Sequence, residues 1–251
     1  MVTGKKIVDE VSGYLRVFED GTVDRTWTGP PKFGLLMEPV SPHEEFIDGV
    51  AVRDQTIEPK SGLAVRIYIP GTDHDVHSTG QLPVILHFHG GGYCISQPDM
   101  YMYYHYYTRL VRSAQAICVS VYLRRAPEHK LPAPSEDAYA AFLWLRAIAR
   151  GDLSDQWITS YADFSRVYLV GDSTGGNLVH QVAARAGSDD IEPLRIGGVA
   201  IHPGFLRAEP SNTKDHPITC PMGPQAPPLA ALKLCPMLVM VAELDLLRDM
   251  Q

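Results

Sequence analysis

The sequence predicts an α/β fold, a mostly parallel sheet covered by helices on both faces. Five short runs, at residues 84–88, 117–122, 166–170, 196–201 and 237–241, are apolar and β-branched and lack sustained polar alternation, as strands buried on both faces do. Helical patterns fall between them, and alternating strands and helices give a parallel sheet. With 251 residues and 45% apolar side chains, the chain has material for one large domain or two small ones.

Residues 1–48 read as an N-terminal appendage. Tyr14, Arg16 and Phe18 alternate with Leu15 and Val17, the turn Glu19-Asp20-Gly21 follows, and Val23, Arg25 and Trp27 alternate beyond it, which is a hairpin pattern. Residues 28–42 are rich in proline and glycine and read as irregular chain, placed across the mouth of a cleft. The main domain, 49–251, opens with a strand pair at 51–58 and 64–69 joined through Pro59-Lys60-Ser61-Gly62. The parallel runs come next. Ala138, Ala141, Phe142, Leu145 and Ile148 recur at helical spacing over 137–150, with Pro134, Ser135 and the acidic pair Glu136-Asp137 suited to the helix start. Residues 175–186 form a second helical pattern.

Composition excludes several classes of function. The formal charge is −7 and no basic run interleaves with aromatics, so nucleic acid is not an expected partner. The start, MVTGKKIVDEV, lacks the apolar stretch of a secretory signal, and no window approaches about 18 consecutive apolar residues, so no membrane span is expected. Cys94, Cys118, Cys220 and Cys235 form no CxxC pair, which indicates neither a zinc site nor a disulfide framework. A reduced, cytoplasmic compartment is the expectation, and no metal or cofactor is called for.

Two motifs carry chemistry. The first is Gly171-Asp172-Ser173-Thr174-Gly175, which ends an apolar run and opens a helical one. A sharp strand-to-helix turn crowds the positions two before and two after its serine, and Gly171 and Gly175 relieve that crowding. The turn strains Ser173 and aims its hydroxyl over the sheet edge, as a nucleophile requires. The second is His89-Gly90-Gly91-Gly92, again directly after a strand run. Its glycines leave backbone N–H groups free to turn into a cavity. Those of Gly91 and Gly92, with that of Thr174, form a candidate oxyanion hole. His89 is expected to hold the loop by side-chain hydrogen bonds, and His87 reads as a plain strand histidine. A phosphate-cradling loop is the rival reading of the glycines, and it fails because no GK[ST] follows. Tyr93, Cys94 and Ile95 come next and are candidate pocket residues. The aromatic segment at 101–107 divides between packing and the pocket.

These motifs, with Ala126-Pro127-Glu128-His129, His202-Pro203-Gly204-Phe205, Asp215-His216-Pro217 and the stretch from Ala242 to Asp249, resemble the hormone-sensitive-lipase-like α/β-hydrolases, especially the plant carboxylesterases. The resemblance runs over nearly the whole chain. It implies an α/β-hydrolase fold and ester hydrolysis, and it assigns Asp245 as triad acid, while the aromatic, partly apolar residues after the glycines suit a small hydrophobic ester, lactone or acylated plant metabolite. The residues alone do not choose Asp245 over Glu243 or Asp249. Thr174 departs from the alanine usual at its position but keeps the backbone donor.

Two further departures concern length. No histidine follows Asp245, where the resemblance places the triad histidine, so the expectation is a chain that lacks its base, final strand and final helix. His202 and His216 both precede Asp245 and are the available stand-ins. Ser211 also leads directly into Asn212, where relatives carry more of the cap, so a truncated or spliced product of a longer gene is expected. A non-catalytic receptor like the gibberellin receptors, which lack that histidine, and a dehydratase or cyclase offshoot are the alternatives.

Overall fold

A computed structural model of the chain describes residues 4–71, 81–203, 223–226, 228–241 and 243. Its first unit is a three-stranded antiparallel sheet of β1 (Ile7–Val11), β2 (Leu15–Phe18) and β3 (Val23–Asp24). The expected hairpin is β2–β3, with Arg16 opposite Asp24 and Val17 opposite Val23. The segment 28–42 carries a 3₁₀ turn, the short α1 (Gly34–Met37) and a single bridge from Pro39 to Met100.

The main sheet has eight strands. In chain order these are β4 (His43–Ile47), β5 (Val50–Glu58), β6 (Leu63–Pro70), β7 (Leu82–Phe88), β8 (Ile117–Tyr122), β9 (Ala162–Ser173), β10 (Ile196–Pro203) and β11 (Met237–Val239). Across the sheet they run β11-β10-β9-β7-β8-β6-β5-β4. The strands from β7 onward are mutually parallel, while β4, β5 and β6 pair antiparallel. The mixed, mainly parallel sheet matches the class expected from the sequence.

Its helices are α2 (Tyr101–Ala114), α3 (Ala133–Arg150), α4 (Gln156–Tyr161) and α5 (Thr174–Ala186). Successive side chains on a strand point to opposite faces, and here both faces find apolar cover. Ile67, Leu86, Val119 and Leu169 face Phe142, Leu145 and Val179 in the larger core. Their neighbours Tyr68, Ile85 and Cys118 face Tyr103, Tyr107 and Val111 under α2. For β7, β8 and the middle of the sheet this double burial is why the strand runs show no polar alternation; the run at 237–241, also expected to be buried on both faces, forms β11 over Met237–Val239 and is exposed.

Local signals differ in detail from expectation. α3 begins at Ala133, and its N-cap residue Pro132 makes no side-chain cap bond. Asp137, read as part of an acidic helix start, instead accepts from the Arg124 backbone N–H (2.8 Å) and pairs with the Arg124 guanidinium. α4, absent from the sequence reading, is capped by Asp155, whose carboxylate accepts from the Trp157 and Ile158 amides. Among the described residues, Cys94, Cys118 and Cys235 are free thiols, and no helix is long and apolar enough to cross a membrane.

Candidate active site

Ser173 is the last residue of β9 and the N-cap of α5, with φ 52° and ψ −118°. A non-glycine residue held there stores roughly 1–3 kcal/mol of strain. The flanking glycines let the chain make this turn. A Cβ on Gly171 would strike the Gly175 backbone, and one on Gly175 would overlap the Phe88 carbonyl. Strand β9, helix α5 and the end of β7 therefore meet backbone to backbone.

The loop after β7 forms the other wall. Gly91, Gly92 and Tyr93 are three consecutive residues at positive φ, 95°, 63° and 60°. The loop closes through the Cys94 and Ile95 amides, both donating to the Gly91 carbonyl at 3.0 Å. The N–H groups of Gly91 and Gly92 donate no hydrogen bond among the described residues. Thr174, first residue of α5, has no helical carbonyl before it to accept its N–H. A Cβ on Gly90 would collide with Asp172 and come within 3.1 Å of the Ser173 Cβ, so the loop abuts the serine directly.

A polar network fixes that contact, with Asp172 at its centre. The Gly90 N–H donates to Asp172 Oδ1 (3.1 Å) and to the Tyr103 hydroxyl (3.2 Å), and Tyr103 donates to Asp172 Oδ2 (3.2 Å). His87 lies beneath, with Nε2–H directed at Asp172 Oδ1 (3.4 Å) and Nδ1 accepting from the Ser120 hydroxyl (2.7 Å). Burial lowers the His87 pKa, which favours the neutral ring this pattern needs. Burial pushes the Asp172 carboxyl upward, but donors from His87 and Gly90 outweigh it, so the group stays below its ordinary range and ionised.

His89 is fully enclosed. Its Nδ1–H donates to the Gly90 carbonyl (2.8 Å), Nε2 is buried without a partner, and burial lowers its pKa to about 4. Tyr93 is also buried, and its hydroxyl donates to the Thr174 carbonyl (3.3 Å), tying the loop to the start of α5. Cys94 and Ile95 are half-buried, and burial raises the Cys94 thiol.

Arg25, beyond β3, reaches this loop from the small sheet. It donates to the carbonyls of Cys94 (2.7 Å) and Ala126 (2.8 Å) and makes two bonds, 2.7 and 2.6 Å, to Glu128.

Ser173, Thr174 and Gly90–Gly92 thus come together at one sheet edge. Asp245, His216 and the Ser211–Asn212 junction lie outside the described residues, as does the side chain of His202. Strand β11, six residues before Asp245, runs parallel to β10, with Val239 opposite Ile201, while Pro203 lies opposite Ser173. The sequence points to Tyr103 only as one of an aromatic segment divided between packing and the pocket, gives no sign of Ser120, and makes His87 a plain strand residue. The one available signal was a histidine and a serine inside apolar strand runs, since buried polar groups need partners.

Comparison with known proteins agrees with this fold. A family profile described as the alpha/beta hydrolase fold matches residues 85–222. Probable carboxylesterase 4, mitochondrial, of Arabidopsis thaliana is 33% identical over 85% of this chain and 55% of its own length. Tuliposide A-converting enzyme 1, chloroplastic, of Tulipa gesneriana is 34% identical over 96% of this chain and 64% of its own. The 2-hydroxyisoflavanone dehydratase of Glycyrrhiza echinata is 31% identical, covering 98% and 82%. Among solved structures, an esterase of Pyrobaculum calidifontis superposes with a TM-score of 0.59 at 27% identity, over 79% of this chain and 68% of its own.

These relatives correct the expected cytoplasmic location, because the tulip enzymes are chloroplastic or amyloplastic and the Arabidopsis esterase is mitochondrial. Unpaired cysteines speak to redox state and do not distinguish the cytosol from an organelle. The chain belongs to the α/β-hydrolase fold family, and the family members it resembles are plant carboxylesterases and their kin.

Proposed function

We propose that this chain is built for hydrolysis of carboxylic esters of small, partly apolar molecules through a serine acyl-enzyme. One observation carries the reading. Ser173, strained at the end of β9, abuts a glycine loop whose Gly91 and Gly92 amides donate no hydrogen bond among the described residues. In this reading Ser173 Oγ attacks the ester carbonyl as its proton passes to a histidine base oriented by Asp245. The Gly91, Gly92 and Thr174 amides hold the oxyanion. The alcohol leaves with that proton, and water then releases the acid by the same route.

No histidine follows Asp245 in these 251 residues. Loss of such a base costs about 10⁶ in turnover in a comparable hydrolase, leaving about 10³–10⁴ over water from the oxyanion hole and binding. The 251-residue chain by itself is therefore expected to turn over near background. The test is p-nitrophenyl ester hydrolysis and fluorophosphonate labelling. It uses this chain, a version extended with a family-like cap and C-terminus, and Ser173→Ala in each. Robust turnover in the extended chain, lost in Ser173→Ala, supports the reading. Robust turnover in the 251-residue chain would overturn the impairment. A folded extended chain that hydrolyses nothing favours a second reading, elimination of water from a hydroxylated substrate, which the similarity to a dehydratase supports.

A further inference from the structure

A hollow with charged residues on its wall lies away from Ser173. It has a volume of about 480 Å³, within the usual range for small-molecule sites, and sits among the β5–β6 turn, the residues after β8 and Arg25. The acids on its wall are already engaged. Asp54 takes two bonds from Arg66 and one from the Tyr122 hydroxyl, and Glu128 takes two from Arg25. Arg124 is committed to Asp137.

The unspent groups are on the donor side. Arg125 lines the hollow half-buried, and its guanidinium makes no hydrogen bond or ion pair among the described residues. Burial and the adjacent Arg25 press its pKa down to about 10, while Glu128 and Asp99 offset this in part from beyond ion-pair distance. The side chains of Gln97 and His129 line the same hollow and likewise make no hydrogen bond among the described residues. A partly desolvated guanidinium without a partner is unfavourable, and its planar fork matches a carboxylate in two parallel bonds.

We propose that the hollow around Arg125 binds the carboxylate of a small organic acid. The guanidinium grips both oxygens, and Gln97 and His129 lie at its rim. The amide of Ala126, the residue after Arg125, donates to the Tyr93 carbonyl at 2.9 Å, so the chain beside this hollow is joined to the glycine loop. The inference stands independently of the role of Ser173.

Isothermal titration and thermal melting of the 251-residue chain with acetate, benzoate and malonate, at ionic strength matched with sodium chloride, test it. Saturable binding is expected. Arg125→Gln should weaken it about tenfold or more, the value of one hydrogen-bonded charge, and Arg125→Lys should weaken it too because an ammonium lacks the fork. Without ligand, Arg125→Gln should melt at or above the parent, since an unpaired cation has been removed. An equal response to chloride, unchanged binding by Arg125→Gln, or a ligand-free Arg125→Gln that unfolds or melts several degrees lower would overturn the proposal. Inorganic phosphate binding more tightly than every carboxylate would overturn the ligand class.

Discussion

Asp172 shows how much one motif residue does beyond the serine it precedes. Its carboxylate joins the Gly90 amide, Tyr103 and His87, and so couples the end of β7 to the end of β9. Asp172→Asn keeps the shape but replaces one acceptor oxygen by a donor facing the Gly90 N–H or Tyr103. In the extended chain this should lower kcat by about 10²-fold, the cost of misplacing catalytic groups by about 1 Å, with KM little changed. An unaltered kcat in a folded Asp172→Asn protein would remove Asp172 from any positioning role. His89 gives a separate signature in pH. Its pKa falls from 6.5 to about 4 on folding, so below pH 6.5 the unfolded chain takes up a proton that the native chain refuses. Stability should hold above pH 6.5 and decline toward pH 4, by about 3 kcal/mol at most from this residue. His87 is shifted the same way and adds to the slope. Denaturant melts from pH 4 to 7 measure it, and His89→Asn, which keeps a donor for the Gly90 carbonyl, should flatten the curve.

The strands and helices were readable where burial imposed a pattern. β7, β8, β9 and β10 sit inside the sheet, and their continuous apolar runs announced them. β1 is exposed along its whole length and β4 over most of it, so neither shows a burial period, and both escaped notice. α4, six residues long, is too short to display one. The strand-to-helix turn was readable because its glycines are required by contact, which gives a direct prediction. Gly175→Ala should cost roughly 3 kcal/mol or more, since its methyl would overlap the Phe88 carbonyl. Gly151→Ala, at φ 80° with open space around it, should cost only about 1 kcal/mol from backbone strain. Equal losses in the two melting curves would contradict the close approach of β7 and α5. The Asp172 network was not readable, because its members come from three strands and a helix that only the fold brings together.

Across the molecule, apolar cover is uneven. At the far edge of the sheet, β11 is exposed, with Leu238 at 59%, and Met240 and Val241 beyond it are exposed too. An apolar hollow of about 630 Å³, lined by Tyr106, Leu110, Tyr168, Ala200 and Leu238, continues from that edge under α2. Among the described residues no strand pairs with the outer edge of β11, and an unpaired strand beside such a patch invites pairing with another chain. The 251-residue chain should therefore self-associate at micromolar concentration. Leu238→Lys should suppress this in light scattering without lowering the melting temperature; scattering unchanged by the lysine would place the association elsewhere. At the opposite end of the chain order, Arg25 binds the small sheet to the Cys94 and Ala126 carbonyls through a single side chain. Local opening is cooperative within contiguous units, and such a bridge merges two of them. Fraying of the small sheet is therefore expected to loosen the glycine loop, so the order of the Gly91 and Gly92 amides depends in part on a hairpin remote in sequence.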